Sequence, residues 1–160
     1  MAAHVTHMTI EDVIQRSCIN LHLTGRTKEE IIMEMTDMFF NAGALSSKEL
    51  FLKDVYQREM EGPTGIGNQV AIPHGKSDAV VRTSMAVGRA DYEIEWETLG
   101  DGKSRVFVMF AVNSADKSEL VSLLSQVAVA LCDDKVIETL LLTEDVEEIF
   151  TLFNHKEGSK

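Results

Sequence analysis

Cysteine and proline are scarce, with two of each in 160 residues, and the 15 basic residues are outnumbered by 26 acidic ones. Cys18 and Cys132 are too few for a disulfide framework and lack the spacing of a thiol redox pair or a zinc ribbon. Both read as buried small apolar residues in a reducing compartment. A formal charge of −11 would repel a phosphate backbone, so nucleic acid and anionic lipid surfaces are excluded as general partners. No window approaches the roughly 18 apolar residues of a membrane span, and Met1 to Ile10 shows no basic start followed by an apolar run. These absences point to a soluble, cytoplasmic protein with no direct membrane insertion. What remains is ordinary globular composition, 44% apolar, and a chain of this size can bury roughly two-thirds of its unfolded surface.

The apolar pattern alternates between strand and helix periods. Ile19 to Leu23 reads as a short strand; after Gly25, Thr27 and Glu30 have the spacing of a capping box. Ile31, Ile32, Met35, Met38, Phe39 and Ala42 then form one helical stripe that Gly43 is placed to end. Ser46 and Glu49 repeat the cap for a second helix through about Met60, carrying Leu52, Val55, Tyr56 and Met60. The pattern stops over Glu61 to Asn68, where Gly62, Pro63, Thr64, Gly65 and Gly67 crowd into a loop.

Val70, Ala71 and Ile72 follow as a buried strand, and Pro73, which lacks a donor, is expected to end its pairing and leave His74 at the strand's C-terminal end. Ser84 to Gly88 and Tyr92 to Trp96 read as two further strands. Val106 to Val112, seven residues without a polar side chain, reads as a central strand covered on both faces. Asp116 and Glu119 are spaced to box a helix bearing Leu120, Leu123, Leu124, Val127 and Leu131. Two more helices are expected at Asp134 to Leu142 and Glu144 to Phe153, with His155 to Lys160 frayed. No repeat, low-complexity tract or linker appears. The reading is α/β: one three-layer domain over residues 1–160, core about 10–154, with a mixed sheet flanked by helices on both faces.

Two glycine motifs fail as nucleotide sites. Gly62-Pro63-Thr64-Gly65-Ile66-Gly67 is followed by Asn68 and Gln69 where a P-loop needs Lys and Ser or Thr. Gly75-Lys76-Ser77 resembles the end of that motif, but its upstream glycine would fall at Val70, inside a strand. His4 and His7 make an H-x-x-H pair without a third ligand, so no metal site is assigned; His22 reads as a strand residue and His155 as a tail residue. His74 differs in its neighbourhood. A neutral imidazole with one nitrogen free and the other fixed by a hydrogen bond is a phosphate acceptor. The loop's backbone amides could form a nest for phosphoryl oxygens, and Arg58 could neutralise charge on the transferring group. The same residues, taken singly, also suit a satisfied structural histidine, a tight turn and a solvated helix arginine.

Arg58-Glu59-Met60-Glu61-Gly62-Pro63-Thr64-Gly65-Ile66-Gly67, followed by Ala71-Ile72-Pro73-His74-Gly75, resembles the enzyme IIA domain of the bacterial phosphoenolpyruvate-dependent sugar phosphotransferase system, in its fructose/mannitol superfamily (type 2). The likeness extends over nearly the whole chain. It implies that His74 takes a phosphoryl group on Nε2 from the carrier HPr and passes it to a cysteine of enzyme IIB, which serves sugar transport through the membrane enzyme IIC. It places Arg58 and Thr64 at the family's arginine and loop threonine, with the Gly65 and Ile66 backbone completing a phosphate cradle. It implies no nucleotide, metal or other cofactor.

One departure stands out. Many members carry a second histidine at the start of the helix after the central strand, where this chain has Glu119-Leu120. A carboxylate there either points away, as a cap partner of Asp116, or slows transfer; the cap is the favoured reading. Galactitol-type enzymes also lack that histidine and resemble this chain in Pro63-Thr64-Gly65-Ile66 and Val136-Ile137-Glu138-Thr139-Leu140, which implies galactitol or a related polyol. The alternative is a regulatory module whose affinity for a partner is switched by phosphorylation of His74. Met60, Ile66 and Val70 are candidates for an apolar docking surface, with core burial the better reading for Val70.

Overall fold

The computed structural model describes residues 7–98 and 102–154. His4 and the His155 to Lys160 tail lie outside the described residues. After a single turn, α1 (Ile10–Val13), the chain enters β1 (Ile14–Leu23) and two consecutive helices, α2 (Lys28–Asn41) and α3 (Lys48–Met60). Short strands β2 (Gly65–Gly67), β3 (Val70–Ala71) and β4 (His74–Ser77) precede the long β5 (Ser84–Glu95) and β6 (Lys103–Asn113). Helices α4 (Lys117–Ala130), α5 (Asp134–Leu142) and α6 (Val146–Phe153) close the chain.

The sheet order is β1-β5-β6-β3-β2, with β4 also paired to β6. β1 runs parallel to β5, β5 antiparallel to β6, and β3 and β4 parallel to β6. The sheet is therefore mixed, and β6 lies at its centre. Its apolar run alternates as expected: Val106, Val108, Phe110 and Val112 pack with Leu123, Val127, Ile149 and Phe153 on one side. Phe107, Met109 and Ala111 pack with Ile31, Met35, Phe51 and Val55 on the other. Each fully buried large side chain contributes about 1.5–3 kcal/mol, and the two cores make the three layers that the sequence implies.

Local chemistry sets the ends. Thr27 accepts from the Glu30 amide at 3.1 Å, while the Glu30 carboxylate reaches back to the Arg26 amide at 2.8 Å, one residue before the position of an ideal box. Gly43 ends α2 at φ 80°, a conformation closed to most side chains. The cap of α3 is Ser47, which accepts from Leu50 at 3.1 Å; Ser46 instead donates its amide to the Ala79 carbonyl at 2.8 Å. Asp116 makes no side-chain cap at α4, because its carboxylate accepts the Thr83 hydroxyl at 2.9 Å.

Several expectations are corrected. β1 begins five residues before Ile19, and the two strands expected over 84–96 are one, irregular between Arg89 and Ile94. Asn68 and Gln69 take φ of 55° and 65° and form the two-residue turn between β2 and β3. Pro73 interrupts the edge of the sheet without ending it: its carbonyl accepts from the Phe110 amide at 3.2 Å, so pairing with β6 resumes at His74. His74 thus opens β4 at the interruption and does not close a strand. Cys18 is buried but Cys132 is exposed, in the turn after α4.

Candidate active site

The interruption at Pro73 creates the site. β2 covers the outer edge of β3, whereas among the described residues no strand pairs with the outer edge of β4. Over that edge lies a cleft of about 320 Å³, lined by Asp54, Gln57, Arg58 and Glu61 from α3 and its end, His74 and Lys76 from β4, and Leu120 from α4. Gly75 lets α3 approach: a Cβ there would stand 2.8 Å from Val55 Cγ2.

His74 is 5% exposed. Its Nδ1 lies 3.0 Å from the Ile72 carbonyl oxygen, an acceptor only, so Nδ1 carries the proton and Nε2 keeps a lone pair. Burial holds the imidazole below the ordinary histidine value; the Ile72 bond and the Glu59 charge oppose this, and the Arg58 and Lys76 charges add to it. The ring is therefore neutral, its tautomer is fixed, and Nε2 makes no hydrogen bond among the described residues.

Arg58 stands on the last turn of α3, and its Nη1 donates to the Gly62 carbonyl at 3.1 Å. That contact holds the arginine at the cleft and leaves its other N–H groups for an anion.

Thr64, Gly65 and Ile66 are placed differently from the cradle expected of them. None lines the cleft. The Thr64 hydroxyl donates to Glu59 at 2.8 Å and accepts from Trp96 Nε1 at 2.8 Å, and the Gly65 amide donates to the Glu97 carbonyl at 3.0 Å. Both groups are committed to holding the β2–β3 hairpin, while Ile66 is half exposed. Gly65 leaves no room for a side chain, since a Cβ would fall 1.9 Å from Thr98 Cγ2. Lys28 joins this network, 2.6 Å from Glu59 and 2.5 Å from Glu97. Burial works against its charge, but the two carboxylates more than compensate and raise its pKa.

Glu119 does not line the cleft either, although its neighbour Leu120 does. Its carboxylate accepts from the Met8 amide at 2.7 Å and lies 3.2 Å from His7 Nδ1. Its partner is the N-terminal segment, not Asp116 as the sequence suggests. His7 is likewise taken up by that contact, and His22 is an exposed residue of β1 between Asp91 and Glu144. Val70 is fully buried, whereas Met60 is 81% exposed. Lys76, which in the sequence is only the middle of a failed Gly75-Lys76-Ser77 motif, also lines the cleft, because β4 continues past His74.

The family model for the EIIA 2 component of the phosphoenolpyruvate-dependent sugar phosphotransferase system matches residues 12–156. The chain belongs to this family. Relatives of this EIIA domain include the 2-O-alpha-mannosyl-D-glycerate-specific EIIABC component of Escherichia coli K12, 32% identical over 98% of the chain and 23% of that protein. The fructose-specific EIIA component of Haloferax volcanii is 28% identical over 88% of the chain and 91% of that protein. Among solved structures, the nitrogen regulatory protein IIA-Ntr of Neisseria meningitidis superposes at TM-score 0.82 and 22% identity, covering 90% of this chain and 98% of that one. The Escherichia coli IIA of the mannitol system, solved in complex with phosphorylated enzyme IIB, superposes at 0.75 and 22% identity over 90% of this chain and 100% of that one. These structures share the fold. The chain spans about a quarter of the length of the EIIABC relative. No helix among the described residues is long and apolar enough to cross a membrane.

Proposed function

We propose that this EIIA domain is a phosphoryl relay, in which His74 Nε2 accepts a phosphoryl group from phospho-HPr and delivers it to a cysteine of enzyme IIB. The observation that carries this is the Nδ1 contact of His74 with the Ile72 carbonyl at 3.0 Å, which fixes the nucleophilic tautomer beside Arg58. The Nε2 lone pair forms the bond to phosphorus as the donor's N–P bond breaks and its electron pair returns to the donor nitrogen. Arg58 neutralises charge that spreads over the phosphoryl oxygens. The protein supplies position and charge, and no nucleotide, metal or cofactor takes part.

The fused relative and the mannitol-system complex support enzyme IIB as the acceptor, with enzyme IIC served indirectly. The cargo belongs to the sugar and polyol class; the relatives named for fructose and mannosylglycerate widen it beyond the galactitol type. Intact-protein mass spectrometry at alkaline pH, after incubation with phosphoenolpyruvate, enzyme I and HPr, tests the relay. Wild type should gain one phosphoryl mass and lose it on addition of a cognate IIB, while His74→Ala gains none. No gain in wild type with active partners overturns the relay. Gain without onward transfer to any IIB favours the phosphorylation-switched regulatory module instead.

A further inference from the structure

The Gly75-Lys76-Ser77 segment, which fails as a nucleotide motif, brings a second cation to the cleft. Lys76 lies two residues along β4 from His74, so the strand's alternation puts both side chains on one side while Gly75 turns under Val55 and Phe51. Both line the same cleft. Lys76 is exposed and, among the described residues, forms no ion pair, although Asp54 and Glu61 share that cleft.

A phosphoryl group on a side chain carries about 1.5 to 2 negative charges near neutrality. Arg58 supplies one positive charge, with Nη1 already on the Gly62 carbonyl, and the two carboxylates of the cleft work against an incoming anion. One guanidinium therefore leaves part of the charge uncompensated. A mobile ammonium from the strand, opposite an anchored guanidinium from the helix, makes up the difference.

We propose that Lys76 is a catalytic residue of the relay, its ammonium bonding the phosphoryl oxygens on His74 Nε2 from the β4 side while Arg58 holds them from α3. This rests on the reading of His74 as a phosphoryl acceptor. Lys76 moves no proton in the step. The Nε2–P bond forms, the donor's N–P bond breaks, and the ammonium remains charged throughout as a counter-ion.

Two donors separate this inference from the relay itself. Potassium phosphoramidate phosphorylates histidine without a partner protein, its nitrogen leaving as ammonia; phospho-HPr tests the protein-mediated step. With each donor, labelling of His74 should be about tenfold slower in Lys76→Met, the size of one lost charge-assisted contact, and within about threefold of wild type in Lys76→Arg. Lys53→Met, an exposed lysine of α3 outside the cleft, should label at the wild-type rate. In the phosphorylated protein, the ³¹P resonance should titrate at higher pH in Lys76→Met than in wild type, a change that a merely structural role does not produce. Equal labelling rates for Lys76→Met and Lys53→Met overturn the proposal. Lysine-dependent labelling by phosphoramidate with none from phospho-HPr upholds Lys76 and overturns the relay. Refusal of both donors by wild type overturns both.

Discussion

Arg58 and Glu59 are consecutive residues on the last turn of α3, yet they build opposite kinds of site. Arg58 turns to the cleft, half buried, with one hydrogen bond made and donors to spare. The Glu59 side chain is 5% exposed and bonds Thr64 and Lys28, and Thr64 in turn satisfies Trp96. On the Glu59 side the polar groups close on one another, as burial requires. On the Arg58 side, hydrogen-bonding capacity is left open, a tolerable cost where an anion is to come and go. The motif Arg58-Glu59 thus joins the cleft surface to the buried network beneath it, and on the proposed relay the two halves should fail differently.

The largest effect is expected at Arg58. Arg58→Ala should slow labelling of His74 by about 10²–10³-fold, the range for removal of one transition-state charge partner, while loss of the contact with Gly62 costs about 1 kcal/mol of stability. Labelling kinetics together with thermal unfolding would show it; a rate within threefold of wild type would remove Arg58 from the chemistry. Glu59→Gln should do the reverse. It leaves the Lys28 ammonium with the exposed Glu97 alone and should cost about 2 kcal/mol in denaturant unfolding, with labelling of the folded fraction changed less than about threefold. If instead Glu59→Gln abolished labelling at unchanged stability, the division of labour between the two residues would be wrong.

The same contrast explains what the sequence could and could not tell. The layers, the central strand and the helix stripes were legible because burial repeats with the period of the element, and Val106 to Val112 has to be covered on both faces. The fold brings His74 and Arg58 to one cleft, the arrangement that reading them as a pair requires. The partners of Thr64 in the fold are not legible because they are remote: Trp96 lies 32 residues away, and a hydroxyl gives no sign in sequence of whether an indole or an anion occupies it. Local spacing pairs Glu119 with Asp116, whereas its partners, His7 and Met8, are more than 100 residues away. Pro73 reads as a stop because its missing donor is visible in sequence, while its surviving acceptor toward Phe110 depends on register.

The smallest effect expected is in pH dependence, where two histidines of this molecule make the comparison. His22 is exposed, and its bonds with Asp91 and Glu144 raise its pKa. His74 is buried and shifted the other way, below 6.5. Above pH 6.5 His74 is neutral both folded and unfolded and contributes no slope. As pH falls through 6.5 the unfolded chain takes up a proton that the folded ring refuses, so stability falls until the lower, folded value is passed. The nucleophilic form accordingly persists into mildly acid solution, and the acid limb of His74 labelling by phosphoramidate should lie below 6.5. NMR titration of the two rings should show midpoints on opposite sides of that value. Arg58→Ala and Lys76→Met should each move the His74 midpoint upward, toward but not past 6.5, because burial is the largest cause of the shift and both variants leave it in place. A midpoint at or above 6.5 in wild type would mean that the ring is solvated, and the fixed neutral tautomer on which the relay depends would be lost with it.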